Sequence, residues 1–140
     1  MKNILFGIVM MFTALHADFS RDNATDIVTD NSTTLQWQDD AVGATMKWEA
    51  AISYCEDLTL GSHENWRLPN FNELYYIADR SKRDPAINST FQNVVSNGYW
   101  SSTTVVGYSD YAWSVNGFYG GGDGWNGKDY SNYVRCVRDG

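Results

Sequence analysis

The sequence predicts an α+β domain, and three observations lead there. Apolar residues recur at helical spacing from Trp48 to Leu58 and again from Phe71 to Ala78, the stripes of amphipathic helices. Beyond Pro85 that period stops, and Tyr-, Trp- and Val-bearing runs alternate with Gly-rich stretches, as strands do with their turns. Two early helices followed by a strand-rich half is the α+β pattern.

The chain opens MKNILFGIVMMFTALHA: one Lys, an apolar run from Ile4 to Leu15, then a small residue at Ala17. This is the layout of a secretory signal peptide cut before Asp18, with a retained anchor as the alternative. The run is short for a membrane span. The expected product is one exported domain, residues 18–140, with no membrane insertion after cleavage. Without Lys2 it has 9 basic and 17 acidic residues, a net charge of −8. Nucleic acid and anionic lipid are held through Lys and Arg, so neither is an expected partner.

Within that domain, Asp26–Thr29 and Thr34–Gln38 read as short strands, with Leu35 and Trp37 on one face. Trp48, Ala51, Ile52, Cys55 and Leu58 form the inner stripe of a first helix, which Gly61 ends. Asn70 with Glu73 is a capping box opening a second helix, whose inner face is Phe71, Leu74, Ile77 and Ala78. Arg80, Lys82 and Arg83 then suit the negative end of its macrodipole, and Asp84-Pro85 stops it. Gly98–Thr103, Tyr111–Phe118 and Tyr133–Arg138 read as strands. Trp37, Trp48, Trp66, Trp100 and Trp113 are assigned to packing, leaving Trp125 as a contact residue.

Cys55 and Cys136 are the only cysteines. In an oxidising compartment a disulfide is the simplest reading and two buried thiols the alternative. There is no CxxC pair, and past the leader the one histidine is His63. No metal site, cofactor or catalytic residue is therefore expected.

The segment Val105–Asn132, VVGYSDYAWSVNGFYGGGDGWNGKDYSN, carries the functional expectation. Twenty of its 28 residues are Gly, Tyr, Ser, Asn or Asp, the alphabet of antibody loops: Tyr supplies stiff amphipathic area, and the others adaptable hydrogen bonding. The expected contact set is Tyr108, Ser109, Asp110, Tyr111, Ser114, Asn116, Phe118, Tyr119, Asp123, Trp125, Asn126, Asp129, Tyr130 and Asn132. Its ligand is expected to be a protein surface or a neutral glycan. An adhesin for host or matrix polysaccharide and an envelope hydrolase are the competing readings, though no carboxylate pair stands out for the latter.

Taken together, Trp48–Cys55, WRLPNFNELYYI, YWSSTT, AWSVNGF and the closing YVRCVRD resemble the Lcl C-terminal domain family, which is similar in turn to the C-type-lectin-like and formylglycine-generating-enzyme-like superfamily. The resemblance implies two helices packed on a small twisted antiparallel sheet, with long irregular loops in the C-terminal half that hold ligands. It also implies that Cys55 and Cys136 pair. The calcium-binding triplets of sugar-binding lectins are missing: Trp125-Asn126-Gly127 lacks the closing acid.

Some domains of that superfamily are the variable proteins of diversity-generating retroelements, in which asparagine codons are rewritten at adenines. The residues so reached exclude Trp, Met, Gln, Lys and Glu. Within Val105–Asn132 only Trp113, Trp125 and Lys128 fall outside the reachable set, so a near-copy of this segment and a reverse transcriptase gene are expected nearby.

Overall fold

The computed structural model describes residues 18–116 and 123–140, and the side chain of Asp123 lies outside that description, as do the expected signal peptide, Phe118 and Tyr119. The elements run β1 (Phe19–Asp22), β2 (Ile27–Asp30), β3 (Gln36–Gln38), α1 (Trp48–Glu56), α2 (Phe71–Tyr76), β4 (Tyr99–Val105), β5 (Tyr108–Val115), β6 (Asp123–Gly127) and β7 (Val137–Arg138). They form an α+β domain with two antiparallel sheets, ordered β1-β2-β3-β7 and β4-β5-β6.

The helices form where the apolar period places them, but shorter. In α2 the capping box closes in both directions: Glu73 N–H donates to Asn70 Oδ1 at 2.8 Å, and Asn70 N–H to Glu73 Oε1 at 2.9 Å. The same carboxylate takes both guanidinium arms of Arg67, at 2.7 and 2.8 Å. Desolvation pushes the Glu73 pKa up, but the hydrogen bonds from Arg67 and Asn70 outweigh it and hold the group below its ordinary 4.5. Arg80, Lys82 and Arg83 fall beyond the end of α2, so the macrodipole is not what places them; Arg80 instead lies 3.7 Å over the Tyr75 ring. Gly61 turns the chain at φ 60°, and a Cβ there would meet Ile27 Cδ1 at 2.5 Å.

Two apolar clusters hold the layers. Val28, Trp37, Leu74, Ile77, Ile87, Tyr99, Val115 and Val137 join α2 to both sheets. Ala51 and Cys55 of α1 pack with Ile27, Trp66, Leu68, Trp100, Ala112 and Cys136. Inside the second cluster Cys55 and Cys136 are disulfide-bonded, with Cα atoms 5.5 Å apart and both side chains fully buried. The bond ties α1 to the residue before β7.

Two segments of the first sheet differ from the sequence expectation. Residues 133–138 give only the short β7. Tyr133 bridges in parallel to Tyr99, while Arg135 turns inward to Asp39, so the backbone leaves ladder geometry. A strand not anticipated, β1, is added at the edge of the first sheet, where Arg21 Nε reaches Asp39 Oδ2 at 2.7 Å. Asp39, fully buried, also accepts from the backbone N–H of Gln92 (2.9 Å) and Asn93 (3.1 Å) and from Arg135 (3.1 Å).

Candidate binding surface

Within 105–132, where one strand at Tyr111–Phe118 was expected among Gly-rich loops, the structure forms two paired strands, β5 and β6. Gly107, at φ 82°, turns β4 into β5, with Val105 opposite Tyr108 across a two-residue connection. Strand β5 then pairs with β6 in the register Tyr111↔Gly127, Trp113↔Trp125 and Val115↔Asp123. Period two puts Tyr111, Trp113 and Trp125 on one face and Ala112, Ser114 and Asn126 on the other.

The first face is aromatic and open. Tyr108, Tyr111 and Trp125 are 56 %, 41 % and 47 % exposed. Their ring centroids lie 5.2 Å (Tyr108–Trp125), 5.6 Å (Tyr111–Trp125) and 6.3 Å (Tyr108–Tyr111) apart, at interplanar angles of 64°, 64° and 88°. These are edge-to-face contacts, each adding roughly 0.5–1.5 kcal/mol beyond burial. The rings therefore hold one another in place while each residue stays about half exposed. The aromatic row continues inward: Trp125 to Trp113 at 6.2 Å, Trp113 to Phe71 at 5.2 Å, Phe71 to Tyr75 at 5.2 Å. So α2 buttresses the sheet from one end, and Trp113, half-buried, links packing to surface.

The second face corrects part of the expected contact set. Ser114 is 1 % exposed, and its hydroxyl donates to Asn126 Oδ1 at 2.9 Å, which also accepts from Asn132 Nδ2 at 3.2 Å. The alternation that sends Trp113 outward sends Ser114 inward. Ser114 therefore presents no side chain to a ligand, and half-buried Asn126 and Asn132 are committed to this internal relay. Ser109, Asp110, Asn116, Asp129 and Tyr130 are exposed.

A groove of about 500 Å³ adjoins the ring cluster, lined by Asp110, Tyr111, Gly127, Lys128, Asp129 and Tyr130. The Lys128 ammonium leaves it for the α1 side, 3.0 Å from Thr104 Oγ1 and 4.0 Å from the Trp48 ring centroid. Its backbone N–H donates to Asp110 O at 2.8 Å, and its carbonyl accepts from Trp48 N–H at 3.2 Å. Sequence reasoning missed Lys128, Phe71 and Tyr75 as parts of this surface, and Val106, 94 % exposed at the hairpin tip. The period-two signal of Tyr111, Trp113 and Val115 was available; the α2 contribution was not, because it depends on how the helix docks.

The Lcl C-terminal domain family matches residues 26–138. The chain belongs to that family. The match spans both sheets apart from β1, and takes in the disulfide, the Arg67–Glu73 pair and the aromatic face. A comparison with curated proteins found no match.

Proposed function

We propose that this member of the Lcl C-terminal domain family is an exported, non-enzymatic binding domain whose ligand, a protein surface or a neutral glycan, is held on the aromatic face. One observation carries the reading: three large rings stand half in solvent, packed edge to face, on a sheet whose inner residues Trp100 and Ala112 pack in the disulfide-bearing core cluster. A folded chain has no internal reason to keep a Trp and two Tyr together and exposed. Rings that are already ordered lose little conformational entropy when a ligand arrives.

Magnitudes bound what this face can do. Three rings with about half of roughly 200 Å² each still to bury offer ~300 Å², or ~7 kcal/mol gross. Association itself costs about 4–15 kcal/mol. The rings are therefore anchors, and the exposed polar neighbours Ser109, Asp110, Asn116 and Asp129 complete the contact. Export is supported by the leader-like layout of residues 1–17.

The experiment is to screen the wild-type protein on glycan and peptide arrays beside Tyr108→Ala and Trp125→Ala. Ligands retained by the wild type are expected to weaken by roughly 30-fold or more in the variants. Retention unchanged by both substitutions, or no ligand retained at all, refutes the reading.

A second reading concerns how the face varies. The three residues that retroelement rewriting of asparagine codons does not reach all hold the scaffold: Trp113 and Trp125 are cross-strand partners, and Lys128 bridges β5 to α1. Fixed framework between rewritable positions is the arrangement such a system requires. Flanking DNA without a near-copy of the segment and without a reverse transcriptase gene would remove it.

A further inference from the structure

We propose that the groove beside the ring cluster receives an arginine or lysine side chain of a protein partner. This deepens the binding reading above and rests on it.

The floor of the groove is Gly127, whose register partner is Tyr111. A Cβ on Gly127 would meet Tyr130 Cδ2 at 3.1 Å and Asp129 Oδ1 at 2.8 Å, so the bare backbone is what lets Tyr130 and Asp129 lie against the strand. Tyr111 and Tyr130, 41 % and 65 % exposed, thus stand on either side of one residue. Aromatic faces attract cations through the ring quadrupole, most strongly where water is displaced.

The charges point the same way. Asp110 and Asp129 both line the groove, and among the described residues neither carboxylate has a hydrogen-bond or ion-pair partner. The groove's own cation, Lys128, is engaged on the opposite side by Thr104 and Trp48. The net charge of −8 over residues 18–140 steers a basic partner inward and an acidic one away.

Ring geometry separates this occupant from a glycan. Extended sugar chains lie on coplanar platforms, whereas Tyr108, Tyr111 and Trp125 meet at 64–88°. Such a corrugated surface suits a protruding side chain, whose alkyl stem packs on the rings while its head reaches the carboxylates.

The test titrates the disulfide-bonded protein, followed by NMR, with a short arginine-containing peptide, its lysine and citrulline counterparts, and a neutral tetrasaccharide. The arginine or lysine peptide is expected to shift the Tyr111, Gly127 and Tyr130 resonances. Affinity should fall roughly fivefold or more with citrulline, in Asp110→Asn/Asp129→Asn, and on raising salt about tenfold. Absence of shifts, equal binding of the citrulline peptide, salt-independent binding, or shifts from the tetrasaccharide alone overturns the proposal. If Tyr108→Ala and Trp125→Ala abolish capture of array ligands while the two Asp→Asn changes leave it intact, the aromatic face stands and the cation groove falls.

Discussion

Replacing Asp39 by Asn is the most exacting test of the architecture, because the shape of the side chain is kept and only the charge is removed. The carboxylate is fully buried and accepts four hydrogen bonds: from Arg21 and Gln92 N–H on Oδ2, and from Asn93 N–H and Arg135 on Oδ1. An amide has one acceptor oxygen, so its NH2 would face two of those donors. Arg21 retains Asp26 at 2.8 Å, a partner whose side chain is 45 % exposed. Arg135, 4 % exposed, would keep the carbonyls of Gln38 and Asn93 and the Phe91 and Tyr99 rings but lose its one ion-pair partner among the described residues. Removing one member of a buried pair costs about 3–5 kcal/mol, most of it from the charge left behind. With a urea dependence of roughly 1–3 kcal/mol per molar, the unfolding midpoint should drop by about 2 M. Urea titration followed by tryptophan fluorescence measures this, with Glu56→Gln on the exposed side of α1 as a control expected within about 0.5 kcal/mol of wild type. Adding Arg135→Met to Asp39→Asn should recover part of the loss, since the stranded cation goes with it. A single-variant loss below about 1 kcal/mol would refute the assignment of Asp39 as the charged centre of the frame.

Three further outcomes are expected. Replacing Cys55 and Cys136 together by Ala should cost about 4–5 kcal/mol, the chain entropy released when a loop closed at a separation of 81 residues is opened; equal urea midpoints with and without reductant would contradict it. Glu73 titrates below its ordinary 4.5, so its contribution is fully present above that value and is lost as pH falls through the lower folded value. Glu73→Gln should therefore be less stable near neutrality yet flatter in stability between about pH 5 and 3 than wild type, as acid titration of the melting temperature would show. Ser114→Ala should lose roughly 1–2 kcal/mol, by leaving Asn126 short of a buried donor, with array binding unaltered; weakened binding at unchanged stability would return Ser114 to the ligand face.

What was legible in the sequence was what is local or chemically unmistakable. The capping box needs only Asn70 and Glu73 three residues apart, and it forms as read. Two cysteines behind a leader-like segment left few alternatives, and they pair. The pull of Asp39 was illegible because its cationic partners lie 18 and 96 residues away, and nothing adjacent distinguishes it from Asp40. Strand β6 was hidden for a different reason. DGWNG has the composition of a loop, and it extends because Trp125 finds Trp113 across the ladder. Likewise Ser114 shares the alphabet of its exposed neighbours, but strand parity, not composition, decides which side chains meet solvent.

That parity supports the role proposed for the aromatic face as a recognition surface. Residues 108–111 and 129–130 are exposed, and from Ala112 onward the inward positions of β5 are buried. Substituting at Tyr108, Ser109, Asp110, Asp129 or Tyr130 disturbs only ring contacts and water, whereas substituting at Ala112 or Ser114 opens the second core or its amide relay. Lys128 separates the two regimes: its backbone is pinned to Asp110 and Trp48 and its ammonium to Thr104, so the residues on either side can change without moving β6 relative to α1. The disulfide sits in the cluster beneath, joining α1 to the strand end that closes the domain. On the proposed reading, changes in ligand preference and changes in stability therefore fall on different residues of the same short segment. A surface built this way can be altered for a new partner at little cost to folding, which is the property a binding domain needs and a catalytic site, with its fixed constellation, does not.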